Sequence, residues 1–434
     1  MSAQAPSPAA NSPARVLLAS LVGTTIEFFD FYVYATAAVI VFPRLFFPSS
    51  DPTSGLLQSF ATFAIAFFAR PFGAAVFGHY GDRVGRKATL VAALMLMGVS
   101  TVLIGLLPPY DAIGVAAPLL LALCRLGQGL GLGGEWGGAV LLATENAPPG
   151  RQAWYGMFPQ LGAPIGFILA NGCFLGIGAL LTDEQFFAWG WRAPFILSAL
   201  LVIIGLYVRL KIAETPAFRK TLERNERVRA PVLSVFRDYP LPLLLGTVGA
   251  MATFVLFYLM TVFSLSWGTT ALKIPRSEFL PLQMLGVVFF GLFIPVSAVL
   301  ADRYGRRPML VWTSLAIGAF GFLIQPMFGS GSLPVIALYL IIGLALMGLT
   351  YGPIGAALAE LFPTEVRYTG SSMTFNLGGI LGASLAPYVA TWLATEYGLA
   401  AVGWYLTIAA LVTALALWAA QRYARDYSHT MARH

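Results

Sequence analysis

Between Gly23 and Phe42 the chain reads GTTIEFFDFYVYATAAVIVF, an apolar run with two carboxylates inside it, Glu27 and Asp30. Arg70 follows in FARPFG, and Arg125 and Glu135 in RLGQGLGLGGEWGG, again in apolar surroundings. Charged side chains in such stretches are costly and tend to face a polar cavity or one another. Three carboxylates against two guanidiniums leave one excess negative charge. Burial without a partner favours the neutral form of a carboxyl and a neighbouring Arg favours the ionised form, so one of these acids is expected to exchange a proton. If Asp30 pairs with Arg125 when ionised, protonation frees a guanidinium to hold another carboxylate through two parallel hydrogen bonds. These residues can therefore couple proton binding to anion binding.

The elements that hold them follow from composition. Of the 434 residues 58% are hydrophobic and 10% charged, with a mean hydropathy of +0.77, whereas soluble domains carry about 25% charged residues. Twelve apolar stretches recur, beginning near Val16, Ser54, Ala88, Val115, Ala153, Gly190, Leu241, Glu278, Pro308, Leu333, Tyr368 and Ala401. In lipid each must satisfy its own backbone hydrogen bonds, which predicts an all-α membrane protein with twelve transmembrane helices. Cys124 and Cys173 both fall within spans, so neither a disulfide framework nor a metal-binding pair is expected. None of the three histidines lies deep in a span, so no cofactor, metal or enzymatic centre is expected. The Lys and Arg residues gather at one end of the spans, and the other end holds only Arg44, Lys273 and Arg276. This bias predicts that both termini are cytoplasmic in a multi-pass protein of the bacterial inner membrane. It also accounts for the net charge of +7 through contact with the lipid surface, with no nucleic-acid partner and no implied oligomer.

At about 1.5 Å per residue, and with Pro43, Ser54 and Pro118 as outer ends, Glu27, Arg70 and Glu135 lie roughly 24 Å deep. Asp30 lies about 19 Å in and Arg125 about 10 Å, a gap that side-chain length and tilt are expected to close. Glu27, Asp30 and Tyr34 follow i, i+3, i+7 spacing on one helix face. Gln128 and Trp136 share a face with Arg125, and Glu135 stands on its shoulder. The glycines around them read as contact points for neighbouring helices. No charge lies deep in the last six stretches, so the chemistry concentrates in the first half.

The chain is also a repeat. GDRVGRK from Gly81 returns as ADRYGRR from Ala301, ENAPPGRQAWYG from Glu145 as ELFPTEVRYTG from Glu360, and MFPQLG from Met157 as MTFNLG from Met373. Parallel six-helix halves with a solute site between them are a transporter architecture. The expected divisions are a disordered tail over 1–15, a six-helix bundle over 16–210, a linker over 211–240, a second bundle over 241–421 and a tail over 422–434. The linker's mixed charges fit either a short amphipathic helix at the membrane face or a solvated segment.

The duplicated D-R-x-G-R loop, the RLGQGLGLG segment and the two halves resemble the major facilitator superfamily. FARPFGAAVFGHYGDRVGRK, RLGQGLGLGGEWGGA and WGWRAPF narrow the resemblance to its metabolite:proton symporter branch, which includes carriers of shikimate, α-ketoglutarate, citrate, and proline or betaine. IEFFDF departs from the IEWYDF expected there, so Phe28 and Phe29 lack the polar groups of that motif. The resemblance implies that Asp30 and Arg125 are a proton-coupling pair, accompanied by Glu27 and Glu135. Asp82, Arg86 and Glu145, repeated as Asp302, Arg306 and Glu360, are then expected to form gating latches. Arg70 either anchors a solute carboxylate or neutralises Glu27 and Glu135. Arg192 stands at the outer mouth, and Gln160 and Asn376 bond either solute or another helix. Tyr32, Tyr34, Trp136, Tyr258 and Tyr351 are wall candidates. The expected function is symport of protons with a small organic acid; a zwitterion carrier, a uniporter and an exporter fit the same scaffold.

Overall fold

The computed structural model describes residues 13–48, 51–84, 86–145, 147–211, 231–363 and 366–431. Twelve spans cross in sequence. The first six are α1 (Pro13–Ile40), α2 (Pro52–Val84), α3 (Arg86–Leu106), α4 (Ala116–Gly133 continued by Trp136–Glu145), α5 (Gln152–Gln160 continued by Gly162–Leu180) and α6 (Ala193–Lys211). In the second half come α7 (Pro240–Tyr258, then Leu259–Phe263 and Ser264–Thr270), α8 (Arg276–Tyr304), α9 (Arg306–Gly321, then Ile324–Phe328), α10 (Leu333–Ala359), α11 (Arg367–Gly379, then Ile380–Ser384 and Ala386–Tyr397) and α12 (Leu399–Met431). No strand occurs among the described residues. The protein is a multi-pass membrane protein of two six-helix bundles.

Packing repeats between the halves as the sequence does. In the first, α2 packs on α4, α3 on α6 and α1 on α5; in the second, α8 packs on α10, α9 on α12 and α7 on α11. The bundles meet where α5 packs on α8 and α10, and where α2 packs on α11. Close approach within the first bundle depends on missing side chains. A methyl group added at Gly73 would overlap the backbone of Leu130, and one at Gly133 would overlap the backbone of Arg70. At the end opposite the basic loops, Asp51 accepts from the Ser54 hydroxyl (2.7 Å) and from the N–H groups of Ser54 (3.0 Å) and Thr53 (3.2 Å). These bonds cap α2 and hold the Asp51 carboxyl below its usual range.

Three boundaries differ from expectation. Helix α1 begins at Pro13, inside the expected tail over 1–15. Pro231–Asp238, in the expected linker, forms a helix whose Val235 is buried with Leu243, Phe362, Val366 and Met373. Helix α12 runs on to Met431 through most of the expected tail. Residues 1–12 of the expected tail over 1–15 and most of the linker, 212–230, lie outside the described residues.

Candidate functional site

Where the bundles meet, a central chamber is lined by Glu27 and Tyr32 of α1, Arg70 of α2, Trp136 of α4, Tyr258 of α7, Tyr351 of α10 and Asn376 of α11, with further aromatic rings filling the wall. Its free volume is ≈ 30 Å³, against roughly 300–1,000 Å³ for ordinary small-molecule sites. A solute therefore enters only if the halves separate. Arg70 lies over the rings of Phe31 and Phe67, 4.9 Å from each centroid. These cation–π contacts hold the guanidinium while its Nε makes no hydrogen bond. Glu135 is buried at the break in α4 and is not part of the chamber wall.

The expected pairing of Asp30 with Arg125 is not what the structure shows. No ion pair joins Asp30 and Arg125. Arg125 is fully buried, donating from Nη1 to Gln128 Oε1 (2.9 Å) and from Nε to the Phe63 carbonyl (3.4 Å). Its guanidinium carbon lies 4.0 Å from the Tyr34 ring centroid, 4.6 Å from that of Phe31 and 4.9 Å from that of Phe63. Asp30, also fully buried, is turned toward Thr101 of α3 and Ser198 of α6, and neither oxygen completes a hydrogen bond of ordinary geometry. The reason is angular: i and i+3 on a helix are about 60° apart, enough for Glu27 to face the other bundle while Asp30 points into its own. Arg125 is instead satisfied on its own helix, by Gln128. Arg125 is nonetheless joined to the threonine that Asp30 faces, since Gln128 Nε2 donates to Thr101 Oγ1 (2.8 Å), whose own proton goes to the Met97 carbonyl (3.0 Å).

Four other candidate solute ligands are engaged elsewhere. Tyr34 donates to Thr62 Oγ1 (3.0 Å) and Gln128 bridges Arg125 to Thr101. Arg192 donates to the carbonyls of Gly105 (2.8 Å) and Leu107 (2.6 Å), closing the end of α3. Gln160 accepts from Trp136 Nε1 (3.1 Å) and donates to the Tyr351 carbonyl (2.9 Å), so its amide ties the bundles together beside the chamber. Asn376 lines the chamber and also crosses between bundles, donating to the Gly133 carbonyl (3.4 Å). The stacked rings of Trp136 and Phe375, centroids 3.5 Å apart, form another cross-bundle contact.

At the basic end, Asp302 accepts from the N–H groups of Ala153 and Trp154, each at 3.0 Å, in the first turn of α5. A carboxylate from the second bundle thus sits on the positive end of a first-bundle helix. Arg306 forms an ion pair with Glu360, approaches Asp302 at 3.5 Å and donates to Gln152 Oε1 (2.9 Å). The side chains of Asp82, Arg86 and Glu145 lie outside the described ones. The opposite end is also joined: Arg276 pairs with Asp183 (2.6 Å) and lies 4.0 Å from the Phe186 ring centroid.

Sequence reasoning missed Thr101 and Ser198 as neighbours of Asp30; isolated hydroxyls in apolar spans were the available signal. It also missed the Arg276–Asp183 contact, for which the scarcity of basic residues at that end was a cue. Among the described residues no cluster of His, Cys, Asp and Glu is able to hold a metal ion.

Residues 16–238 match the family model for sugar (and other) transporters, and residues 269–431 match that of the Major Facilitator Superfamily. The inner membrane metabolite transport protein YhjE of Escherichia coli K12 is 60% identical, over 94% of each chain. The shikimate transporter of the same organism is 34% identical, over 92% of this chain and 93% of its own. Among solved structures, the proton:xylose symporter XylE of E. coli has the same fold, with a TM-score of 0.73 at 18% identity, over 94% of this chain and 95% of its own. With family models over both halves and a relative of this identity along nearly its whole length, the chain belongs to the major facilitator superfamily, among its metabolite transporters.

Proposed function

We propose that the protein is a proton-coupled symporter of the bacterial inner membrane that imports a small organic acid by alternating access, with both termini cytoplasmic. The observation that carries the reading is Arg70, a cation held by aromatic rings on the wall of a closed chamber between two bundles. A guanidinium in that setting suits one planar carboxylate. Asp30 supplies the proton site: a buried carboxyl without completed hydrogen bonds is tolerated as a neutral acid far better than as an anion. Thr101, which Asp30 faces, is joined through Gln128 to Arg125, and this gives a route by which proton loss alters the packing around Phe31, which both arginines touch. Asp302 and Arg306 serve as a latch at the cytoplasmic end. The names of the relatives agree with this assignment, one being an inner membrane protein, one a shikimate carrier and one a proton symporter.

A zwitterionic solute is the second reading, favoured by Glu27 on the same wall as Arg70. The test is uptake of radiolabelled shikimate, 2-oxoglutarate, citrate, proline and betaine into proteoliposomes with an inward proton gradient, comparing the native protein with Asp30→Asn. Gradient-dependent accumulation of an acid, lost in Asp30→Asn, supports the proposal; accumulation of proline or betaine alone supports the second reading. Equilibration that ignores the gradient and the substitution identifies a uniporter and refutes proton coupling.

A further inference from the structure

Phe257 and Tyr258 of α7 face the central chamber, and the next five residues, Leu259–Phe263, form a π-helical turn. Such a turn accommodates one residue more than an α-turn, so it offsets the segments on either side by about 100° around the axis. It also disturbs the regular ladder of backbone bonds, so that carbonyls of the turn are open to side-chain donors, that of Thr261 in addition to the Ser264 N–H. The matching span of the first bundle, α1, is an uninterrupted α-helix, so the device belongs to the second half.

The donors come from a neighbouring span. Gln283 of α8 is buried, and its amide nitrogen donates to the carbonyls of Met260 (3.1 Å) and Thr261 (2.6 Å). Both carbonyls lie inside the turn, so both amide protons are spent on it. The amide oxygen accepts no hydrogen bond, a burial cost that the two donated bonds offset. On the turn itself, the Ser264 hydroxyl donates to the Leu259 carbonyl (2.6 Å).

We propose that Gln283 is a positioning residue for the solute site: by holding the π-turn of α7, it sets the angle at which Phe257 and Tyr258 meet the solute. The inference rests on the central chamber being that site. Without the two donors the turn relaxes toward α-helix, and the residues facing the chamber shift in register.

The test uses the full chain with Cys124→Ala and Cys173→Ala, into which single cysteines are placed at each position from 254 to 258. Rates of reaction with a small methanethiosulfonate reagent are compared for Gln283, Gln283→Leu and Gln283→Asn. With Gln283, cysteines at 254, 257 and 258 react faster than those at 255 and 256. Gln283→Leu is expected to shift that pattern by one position. Gln283→Asn, one carbon shorter, reaches one carbonyl at most and gives an intermediate pattern; it decides the matter alone if the Leu variant fails to fold. A uniform acceleration at all five positions, or an unchanged order in a folded protein, overturns the proposal. No solute is present in this measurement, so its result stands apart from the reading of the chamber. That reading fails separately if modified Phe257→Cys and Tyr258→Cys proteins transport undiminished.

Discussion

Arg70 and Arg125 touch the same ring, Phe31, yet their surroundings assign them different work. Arg125 is enclosed by three rings and tied to Gln128 and the Phe63 carbonyl, whereas Arg70 lies on the chamber wall with its Nε unbonded. A lysine at position 70 keeps the charge but loses the planar fork that grips a carboxylate with two bonds. Arg70→Lys is therefore expected to raise the half-saturating solute concentration by about tenfold or more, equivalent to at least ~1.4 kcal/mol. Uptake measured against solute concentration checks this, and an unchanged half-saturation would remove Arg70 from the solute site. Arg125→Lys is expected instead to leave the half-saturation within about twofold and to weaken accumulation against a gradient, because the Gln128 link is lost. The sequence placed all five intramembrane charges in their spans, since a charge in an apolar run stands out at once. It did not orient them, because the roughly 60° between Glu27 and Asp30 decides which bundle each faces, and helix rotation is fixed by packing.

The contact between α2 and α4 makes a prediction with a built-in contrast. Gly73 meets the backbone of Leu130, so alanine there has to push two helices apart, at an expected cost of about 1–3 kcal/mol. Gly133→Ala presses on the backbone of Arg70 and should reduce uptake as well as stability. Gly176, on α5, is exposed with nothing close to its added methyl, so alanine should be neutral or stabilising by up to about 1 kcal/mol. Thermal unfolding of the purified variants checks all three, and a destabilised Gly176→Ala would show that helix contact is not what these glycines serve. Helix number and glycine contacts were legible because hydropathy and small residues are local properties of the chain. The π-turn of α7 was not, because LMTVF looks like any apolar helix segment until Gln283, twenty residues on, is seen to donate into it.

At the scale of the whole molecule, the two bundles are fastened at both ends, so either exit requires one fastening to open, and their unequal strengths set the bias. At the basic end Asp302 receives two backbone N–H bonds at the start of α5, and bonds of this kind to a charged group contribute about 1.5–3 kcal/mol each. At the opposite end the Arg276–Asp183 pair is open to water on the acid's side, Asp183 being 83% exposed against 22% for Arg276, and pairs screened by water in this way contribute about 1 kcal/mol. The repeats made the first fastening visible in the sequence; the second joins residues 93 positions apart and belongs to no repeat. Asp302→Asn removes the charge, and the population open at the basic end should rise by about tenfold or more. Asp183→Asn should favour opening at the other end by no more than about fivefold. Spin labels at Pro149 and Tyr304 report the basic end, and labels at Asp111 and Ser332 report the other, all four positions being exposed. Pulsed distance measurements should then show a longer distance at the basic end in Asp302→Asn and a smaller change at the opposite end in Asp183→Asn. Equal shifts from the two substitutions would mean that the capped end of α5 holds the bundles no more tightly than an ordinary surface ion pair.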